Sequence, residues 1–523
     1  MTVFKYCLDI LRDNEGLTCN KAMQNINYFI ILLKIEPHFG GEINIDEYDY
    51  GELVGGEEHK RKMLELVRFS NLVNEKEASS VLANIWDDIL STHPNTKKIF
   101  LKGKGFDIKN PSSFKKIIDK LNSLELKNIE YDVLGNAYEE VIKNNMTGKE
   151  LGQFFTQPAV KKMMVKLIDP KIYPDGKIET CGDPTMGTGG FLITYLQNIM
   201  QQAKDKNIKL DFDYIKNEGL YGKELQEDTY QLAVSNMLIS TGHIFNKLDR
   251  GDSIREPITR KFDNILANPP FGITGLIYDD FQSSLKSEYV PIKTDNAICL
   301  FIQAIVYMLK VGGKCAVVLP AGQELMSKTN KTFINIRKYL METCDLKEII
   351  YLPPDIFTYT TIKTCVCLFV KKNPLSTPPT TTVKFYNFNE KNEEKYLLIE
   401  VPIDDIVSNS YSLNYTEYIK DEKKQYEEGV VLKTLGEVCK FLSKSKRPAK
   451  YGKTHGTYPF FTSSKLKNKK YVDKPDYEEE SLIIGDGGEP NINYEIKFAA
   501  SDHCYVLQNK NKQKVNLKYV YYY

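Results

Sequence analysis

The run Phe262-Asp263-Asn264-Ile265-Leu266-Ala267 is short and mostly apolar, and it ends in Asn268-Pro269-Pro270-Phe271. The pattern predicts a buried strand closed by a turn at the proline pair. An asparagine held there can grip an exocyclic amino group. Its side-chain oxygen and a neighbouring backbone carbonyl each accept one amino proton, which draws the nitrogen lone pair out of ring conjugation and aims it at an electrophile. Phe271 can stack on the ring that carries the amine. Taken alone, such a tetrapeptide is also compatible with a rigid loop, so its companions decide.

Upstream, Ile178-Glu179-Thr180-Cys181-Gly182-Asp183 reads as a strand, Pro184 to Gly190 as a glycine-rich turn, and Phe191 to Leu196 as the start of a helix. Free N–H groups and the positive end of the helix dipole should converge there into a cradle for an anion or carboxylate, with glycines allowing close approach. The spacing departs from G-x-G-x-x-G, which argues against a dinucleotide. A glycine turn that merely packs a helix on a sheet would account for Gly189 and Gly190 but poorly for Asp183. Gly219 to Glu224 reads as a second strand with an acid at its tip, where ribose hydroxyls are typically held. Arg250-Gly251-Asp252-Ser253 follows a helical stretch at Thr229 to Ile239. Asp252 alone reads as a turn residue; in series with Asp183 and Glu224 it reads as a ligand near an adenine.

These residues carry a resemblance. Gly152-Gln153-Phe154-Phe155-Thr156-Gln157-Pro158, then Asp183 to Phe191, then Leu266 to Gly272, then Leu352-Pro353-Pro354-Asp355-Ile356-Phe357 with Thr360 to Thr364, resemble in order the motifs of the DNA methylation subunits of type I restriction–modification systems. That family comprises S-adenosylmethionine-dependent adenine methyltransferases, and the resemblance covers roughly Lys115 to Tyr415. Met186 stands where the family usually has Cys or Ala, and Phe155 where it usually has Tyr. The resemblance implies an α/β, doubly wound, Rossmann-like core. It also implies S-adenosyl-L-methionine as cofactor, with Phe154, Phe155 and Thr156 beside its methionine part. Asp183, Gly187, Gly189 and Gly190 then shape its cradle, Glu224 holds the ribose and Asp252 lies near the adenine. Asn268, Pro269, Pro270 and Phe271 hold the target base, which has to be extruded from the duplex. No Pro-Cys dipeptide of the kind a cytosine-C5 enzyme uses is present.

The elements that must position these groups divide the chain into three parts. Residues 1–145 carry helical patterns, such as Val81 to Leu90, and no chemistry-bearing cluster; His38 and His59 read as surface or capping residues. Residues 146–420 alternate strands and helices, as a doubly wound sheet requires. Within them Leu300 to Leu309 reads as a helix ended by Gly312-Gly313. Lys314 to Pro320, Leu346 to Leu352 and Cys365 to Val370 read as further strands. Thr274 to Lys293, poor in periodic apolar residues, reads as a mobile loop over the base pocket.

Residues 430–523 read as a separate α+β domain, reached through a charged, helix-like linker at Asp421 to Glu428. Between Lys440 and Lys470 there are 10 Lys or Arg residues and no Asp or Glu, interleaved with Tyr451, Tyr458, Phe460 and Phe461. A basic stretch is usually a solvated face, but interleaved aromatics suit nucleic acid. Leu435 to Val438, Tyr458 to Ser464, Leu482 to Gly488 and Ala500 to Val506 resemble a partial target-recognition domain of specificity subunits from the same systems. Lys444, Lys446, Arg447, Lys450, Lys453, Lys465 and Lys467 are the expected phosphate contacts, which position a protein without reading sequence. Adjacent Ser501, Asp502 and His503 cannot form a hydrolytic triad and read as a structural turn. Domains of this kind continue past Tyr523 into a long spacer helix. The resemblance therefore implies a truncated fusion or pairing with another polypeptide, either a specificity subunit or a second copy of the chain. A separate restriction subunit is the other implied partner, with double-stranded DNA as substrate.

Composition is consistent with this. At 523 residues the chain holds several domains, and 42% hydrophobic content supports a large core. A net charge of +1 leaves only the distribution of charge to speak about nucleic acid. The 10 cysteines contain no C-x-x-C and histidines number 6, so buried reduced thiols are expected and a structural zinc is not. Charges interrupt the first apolar stretch, and the run Ile298 to Leu309 falls short of the roughly 20 residues of a membrane span, so the expectation is a soluble, intracellular protein with no signal peptide or transmembrane segment. Two alternatives stay open: methylation of cytosine N4 on the same fold, and a non-catalytic DNA-binding or assembly subunit.

Overall fold

In the computed structural model the described residues are 2–35, 69–74, 78–92, 96–122, 156–273, 275–354, 356–357, 362–373, 380–419, 433–463, 470–486, 491–510 and 515–522. They fall into two compact units, Met1–Lys420 and Asp421–Tyr523. Phe154, Phe155, Lys465, Lys467, His38, His59 and the linker at Asp421 to Glu428 lie outside the described residues.

The first unit is built on β1 (Cys181–Asp183), β2 (Leu220–Glu224), β3 (Leu248–Arg250), β4 (Phe262–Ala267), β5 (Leu309–Pro320), β6 (Cys344–Tyr351), β7 (Thr364–Lys371), β8 (Thr382–Asn389) and β9 (Glu394–Pro402). Among the described residues they form one sheet in the order β3-β2-β1-β4-β5-β7-β6-β8-β9. Strands β1 to β5 are mutually parallel, and β7 runs antiparallel between β5 and β6. The chain winds outward from β1 in one direction through β2 and β3, then returns to its other side at β4. The switch point, where ligands bind in such sheets, therefore lies at the carboxyl ends of β1 and β4.

Strand alternation explains how one sheet serves two cores. Leu266, Ala316, Val318 and Val366 pack to one side. Their sequence neighbours Ile265, Ala267, Val317, Leu319, Cys365 and Cys367 pack to the other. The helices Thr2–Asp13, Cys19–Ile35 and Pro111–Asn122 join the first of these cores together with Trp86. The segment read as the helix Val81 to Leu90 is an α-helix at Ala78–Ile85 that passes into a single π turn at Trp86–Leu90. All 10 cysteines are buried and unbridged.

Two local expectations are corrected. The helix after the proline turn spans Ala297–Met308, and β5 begins at once with Leu309, so Gly312 and Gly313 lie inside the strand. Gly312 takes φ +79° and the β4–β5 register shifts there, so the glycines make a bulge within a strand. The segment read as a mobile loop is anchored instead: Leu276, Phe281, Tyr289 and Val290 are buried in the second core. It contains short helices at Tyr278–Asp280 and Lys286–Tyr289. Irregular spacing hid those anchors from a periodicity argument.

The second unit is small and mostly β. Strands β10 (Cys439–Phe441), β16 (Cys504–Asn509), β13 (Ser481–Gly485) and β14 (Ile492–Glu495) form one antiparallel sheet among the described residues. β12 (Lys470–Val472), β11 (Tyr458–Phe461) and β15 (Ala499–Ala500) form another. A capping box at Thr434 and Glu437 opens its first helical turn. No helix among the described residues is long and apolar enough to cross a membrane.

Candidate active site

Four strand ends bring the candidate residues to the switch point. Asp183 closes β1 and is fully buried. One carboxylate oxygen accepts the Thr185 N–H at 3.0 Å, and the other, Oδ2, is buried without a hydrogen-bond partner. Glu224 closes β2, and its two oxygens accept the N–H groups of Gly187 (3.1 Å) and Gln226 (2.9 Å). The two acids thus brace the glycine turn from both sides. Burial and the neighbouring Glu224 charge push the Asp183 carboxyl up to about 8 against the opposing Thr185 hydrogen bond. Burial also raises Glu224.

Part of the anion cradle that the sequence suggests is already occupied by the chain's own acceptors. Four of the turn's N–H groups are used internally: Thr185 by Asp183, Met186 by the Lys223 carbonyl, Gly187 by Glu224 and Gly189 by the Met186 carbonyl. The turn is thus lined by two raised carboxyls. Such a lining suits a ligand that brings donors and positive charge, and a pyrophosphate would meet both acids. Gly189 takes φ +81° as the N-cap of the helix Gly190–Lys206, a conformation that favours glycine. Met186 is accommodated because Gly222 faces it: a Cβ there would lie 2.3 Å from the Met186 sulfur.

Asp252 follows β3. One oxygen caps its own turn by accepting the N–H groups of Ile254 (2.8 Å) and Arg255 (3.0 Å), while the other pairs with the Arg255 guanidinium at 2.9 Å. The carboxylate is therefore committed locally. The next residue, Ser253, donates to the Pro184 carbonyl and lays this turn against the glycine turn.

At the end of β4, Asn268 donates through Nδ2 to Thr156 Oγ1 at 3.1 Å, and its Oδ1 is buried without a partner. Thr156 precedes Gln157, the N-cap of the helix Pro158–Ile168, which starts with proline at its first position. Pro269 is buried, and Phe271 is half-buried, touching both cores. Asp183, Gly187, Gly189, Glu224 and Asn268 thus lie on or just beyond the ends of adjacent strands, and Thr156 joins them through Asn268.

Sequence reasoning missed the polar groups that fix this end of the sheet. Asn264, fully buried in β4, donates to Glu179 and to the Tyr195 hydroxyl, both at 3.0 Å. Asp263 accepts the Thr180 N–H and hydroxyl. These bonds tie β4 to the segment entering β1, setting Asp183 against Asn268. Asn236, buried in the helix Glu227–Thr241, donates to the Thr188 carbonyl and holds the glycine turn from behind. The available signal was polar residues at positions that periodicity places inside.

In the second unit, three of the expected phosphate contacts are paired. Lys444 meets Asp486, Arg447 meets Asp476, and Lys453 meets Asp473 at 2.9 Å. Lys446 and Lys450 are exposed. Phe460 is buried, so of the interleaved aromatics it is Tyr451 that presents itself, with Arg447 over its ring at 4.4 Å. Lys444 lies 4.1 Å from the ring of exposed Tyr505. Ser501 to Cys504 forms a turn, with the Ser501 carbonyl accepting from the Cys504 N–H.

Comparison with known proteins gives two family matches: the N-6 DNA Methylase family over residues 129–396, and the Type I restriction modification DNA specificity domain over residues 427–523. The chain is similar to the EcoEI methylase subunit of a type I restriction enzyme from Escherichia coli, 28% identical over 71% of this chain and 75% of that one. It is also similar to the HindI methylase subunit of Haemophilus influenzae, 29% identical over 46% of this chain and 52% of that one, so it spans about half the length of that relative. Among solved structures, a type I restriction-modification system methyltransferase subunit from Streptococcus thermophilus shares the fold. Its TM-score is 0.59 at 22% identity, covering 79% of this chain and 97% of that one.

Proposed function

The chain belongs to the N-6 DNA methylase family, and from the geometry of its site we propose that it transfers a methyl group from S-adenosyl-L-methionine to the N6 amino group of an extruded adenine in DNA. The observation that carries this reading is the buried, unpartnered Oδ1 of Asn268 at the switch point, beside an acid-lined turn. Bound there, the cofactor supplies an electrophilic methyl group on a sulfonium. Asp183, with a free buried oxygen, and Glu224, with spare acceptor capacity, suit its ammonium and ribose hydroxyls. Gly187, Gly189 and Gly190 shape the turn, and the Asp252 turn forms the wall near its adenine.

The protein's part is alignment in a preorganised polar pocket. Asn268 Oδ1 accepts one amino hydrogen, a backbone carbonyl of the proline turn accepts the other, and Phe271 stacks on the base. The N6 lone pair forms the new C–N bond as the C–S bond breaks, and the electron pair of that bond stays on sulfur. The extra amine proton leaves to solvent. No covalent enzyme intermediate is required.

Residues 146–420 serve as the catalytic region, the helices of 1–145 buttress it, and 430–523 act as a partial recognition domain in which Lys446 and Lys450 meet phosphates. Double-stranded DNA is the substrate. A specificity subunit, or a second copy of the chain, completes recognition, and a separate restriction subunit completes the system. Calorimetric titration tests the site: S-adenosylmethionine binds and Asp183→Ala abolishes binding, whereas binding unaffected by Asp183→Ala would refute the assignment.

A further inference from the structure

We propose that Thr156 is the positioning residue for the amine-gripping carboxamide of Asn268. The inference rests on the reaction assigned above. A carboxamide presents an acceptor at one end and a donor at the other, in almost the same shape, so its environment decides which end meets the substrate. A target amine offers donors, so only the oxygen end is useful; the opposite orientation sets donor against donor. Thr156 Oγ1 accepts the Asn268 Nδ2 hydrogen at 3.1 Å, while Asn268 Oδ1 is left buried and unpartnered. Holding one end of the amide fixes both its plane and its direction.

Thr156 can do this because its own placement is rigid. It is buried and stands directly before the Gln157 N-cap, whose carbonyl accepts the N–H groups of Val160 and Lys161 at the start of the helix Pro158–Ile168. Asn268, in turn, leaves β4 with proline fixing the chain on its far side. The contact spans residues 112 apart in sequence and joins the entry of a helix to the exit of the strand it packs on. A hydroxyl at this position therefore orients the asparagine through its amide nitrogen.

The test uses the full chain and duplexes carrying its mapped methylation site, with Thr156→Val, which keeps shape and removes the hydroxyl, and Thr156→Ser, which restores it. Single-turnover methyl transfer should fall about tenfold to a hundredfold in Thr156→Val, as expected when a buried amide loses its partner. Thr156→Ser should return to within about threefold of wild type by the same hydrogen-bond reasoning. Cofactor affinity, read by calorimetric titration, should fall by much less than the rate in Thr156→Val. A second readout needs no catalysis: the binding preference for adenine over purine, which lacks the amino group, should shrink at least about threefold in Thr156→Val. Transfer at the wild-type rate in Thr156→Val would overturn the inference. So would equal losses in Val and Ser, or a loss of cofactor affinity that matches the loss of rate. Wild-type protein that binds adenine and purine duplexes equally would refute the reading of the reaction, whereas an adenine preference kept by Thr156→Val overturns only the role of Thr156.

Discussion

Replacing Asp183 by asparagine should make the ligand-free protein more stable at alkaline pH while destroying its cofactor site. Asp183 is fully buried, and its carboxyl is raised from 3.8 to about 8, first by burial and also by the Glu224 charge. A folded-state value above the unfolded one means that the native state holds this proton between pH 4 and 8 while the unfolded chain releases it. Stability from this group is therefore complete below about pH 4, falls as pH rises, and has been lost by about pH 8. At 1.36 kcal/mol per tenfold change in acidity, raising the carboxyl from 3.8 to about 8 gives an upper limit of about 6 kcal/mol, of which structural relaxation leaves about half.

The carboxamide of Asp183→Asn can still accept the Thr185 N–H but never ionises. Urea unfolding of the ligand-free chain should therefore show the variant close to wild type at pH 4.5 and about 3 kcal/mol or more stable at pH 9. The chain has a single tryptophan. Trp86 is buried in the core shared by the N-terminal helices and one face of the sheet, so its fluorescence reads the unit that holds Asp183. Wild type and variant with the same dependence on pH would refute the reasoning, as would a variant that is less stable at pH 9.

Other perturbations probe separate links. Asn268→Ala should lower methyl transfer at least about a hundredfold, the scale of losing one preorganised polar contact, with cofactor affinity retained; loss of both together would mean the pocket is misassigned. Gly189→Ala forces a side chain into φ +81° and toward Met237, and should cost about 1–2 kcal/mol in urea unfolding; an unchanged midpoint would rule out the strain. Removing residues 430–523 should weaken site-specific DNA binding and leave cofactor titrations unchanged, since those residues fall in the second compact unit; unchanged DNA affinity would count against a recognition role. Lys446→Ala and Lys450→Ala should each reduce the slope of log K against log salt by about 1, and Lys453→Ala, paired with Asp473, by less; equal slopes in all three would remove the distinction.

The strand ends were legible because each combines a short apolar run with an abrupt stop: Asp183 before Pro184, Glu224 after β2, and Asn268 before two prolines. The doubly wound order follows from the same alternation. Long-range pairing was not legible. The basic stretch from Lys440 to Lys470 reads as uncompensated until folding brings Asp473, Asp476 and Asp486 to it. The glycine turn gives no sign in the sequence that Asp183, Glu224 and backbone carbonyls accept four of its N–H groups. Asn264 is invisible as a tie because its partners, Glu179 and Tyr195, come from another strand entry and another helix. Thr156 gave no sign of its partner for the same reason: nothing local in a sequence reports a contact made across the sheet.

The central claim is tested most directly by incubating the chain with labelled S-adenosylmethionine and unmethylated DNA, then separating the nucleosides, with Asn268→Ala in parallel. The account predicts label in N6-methyladenosine for the wild type and none for the variant. Label in N4-methylcytosine, or equal label from wild type and Asn268→Ala, would contradict it.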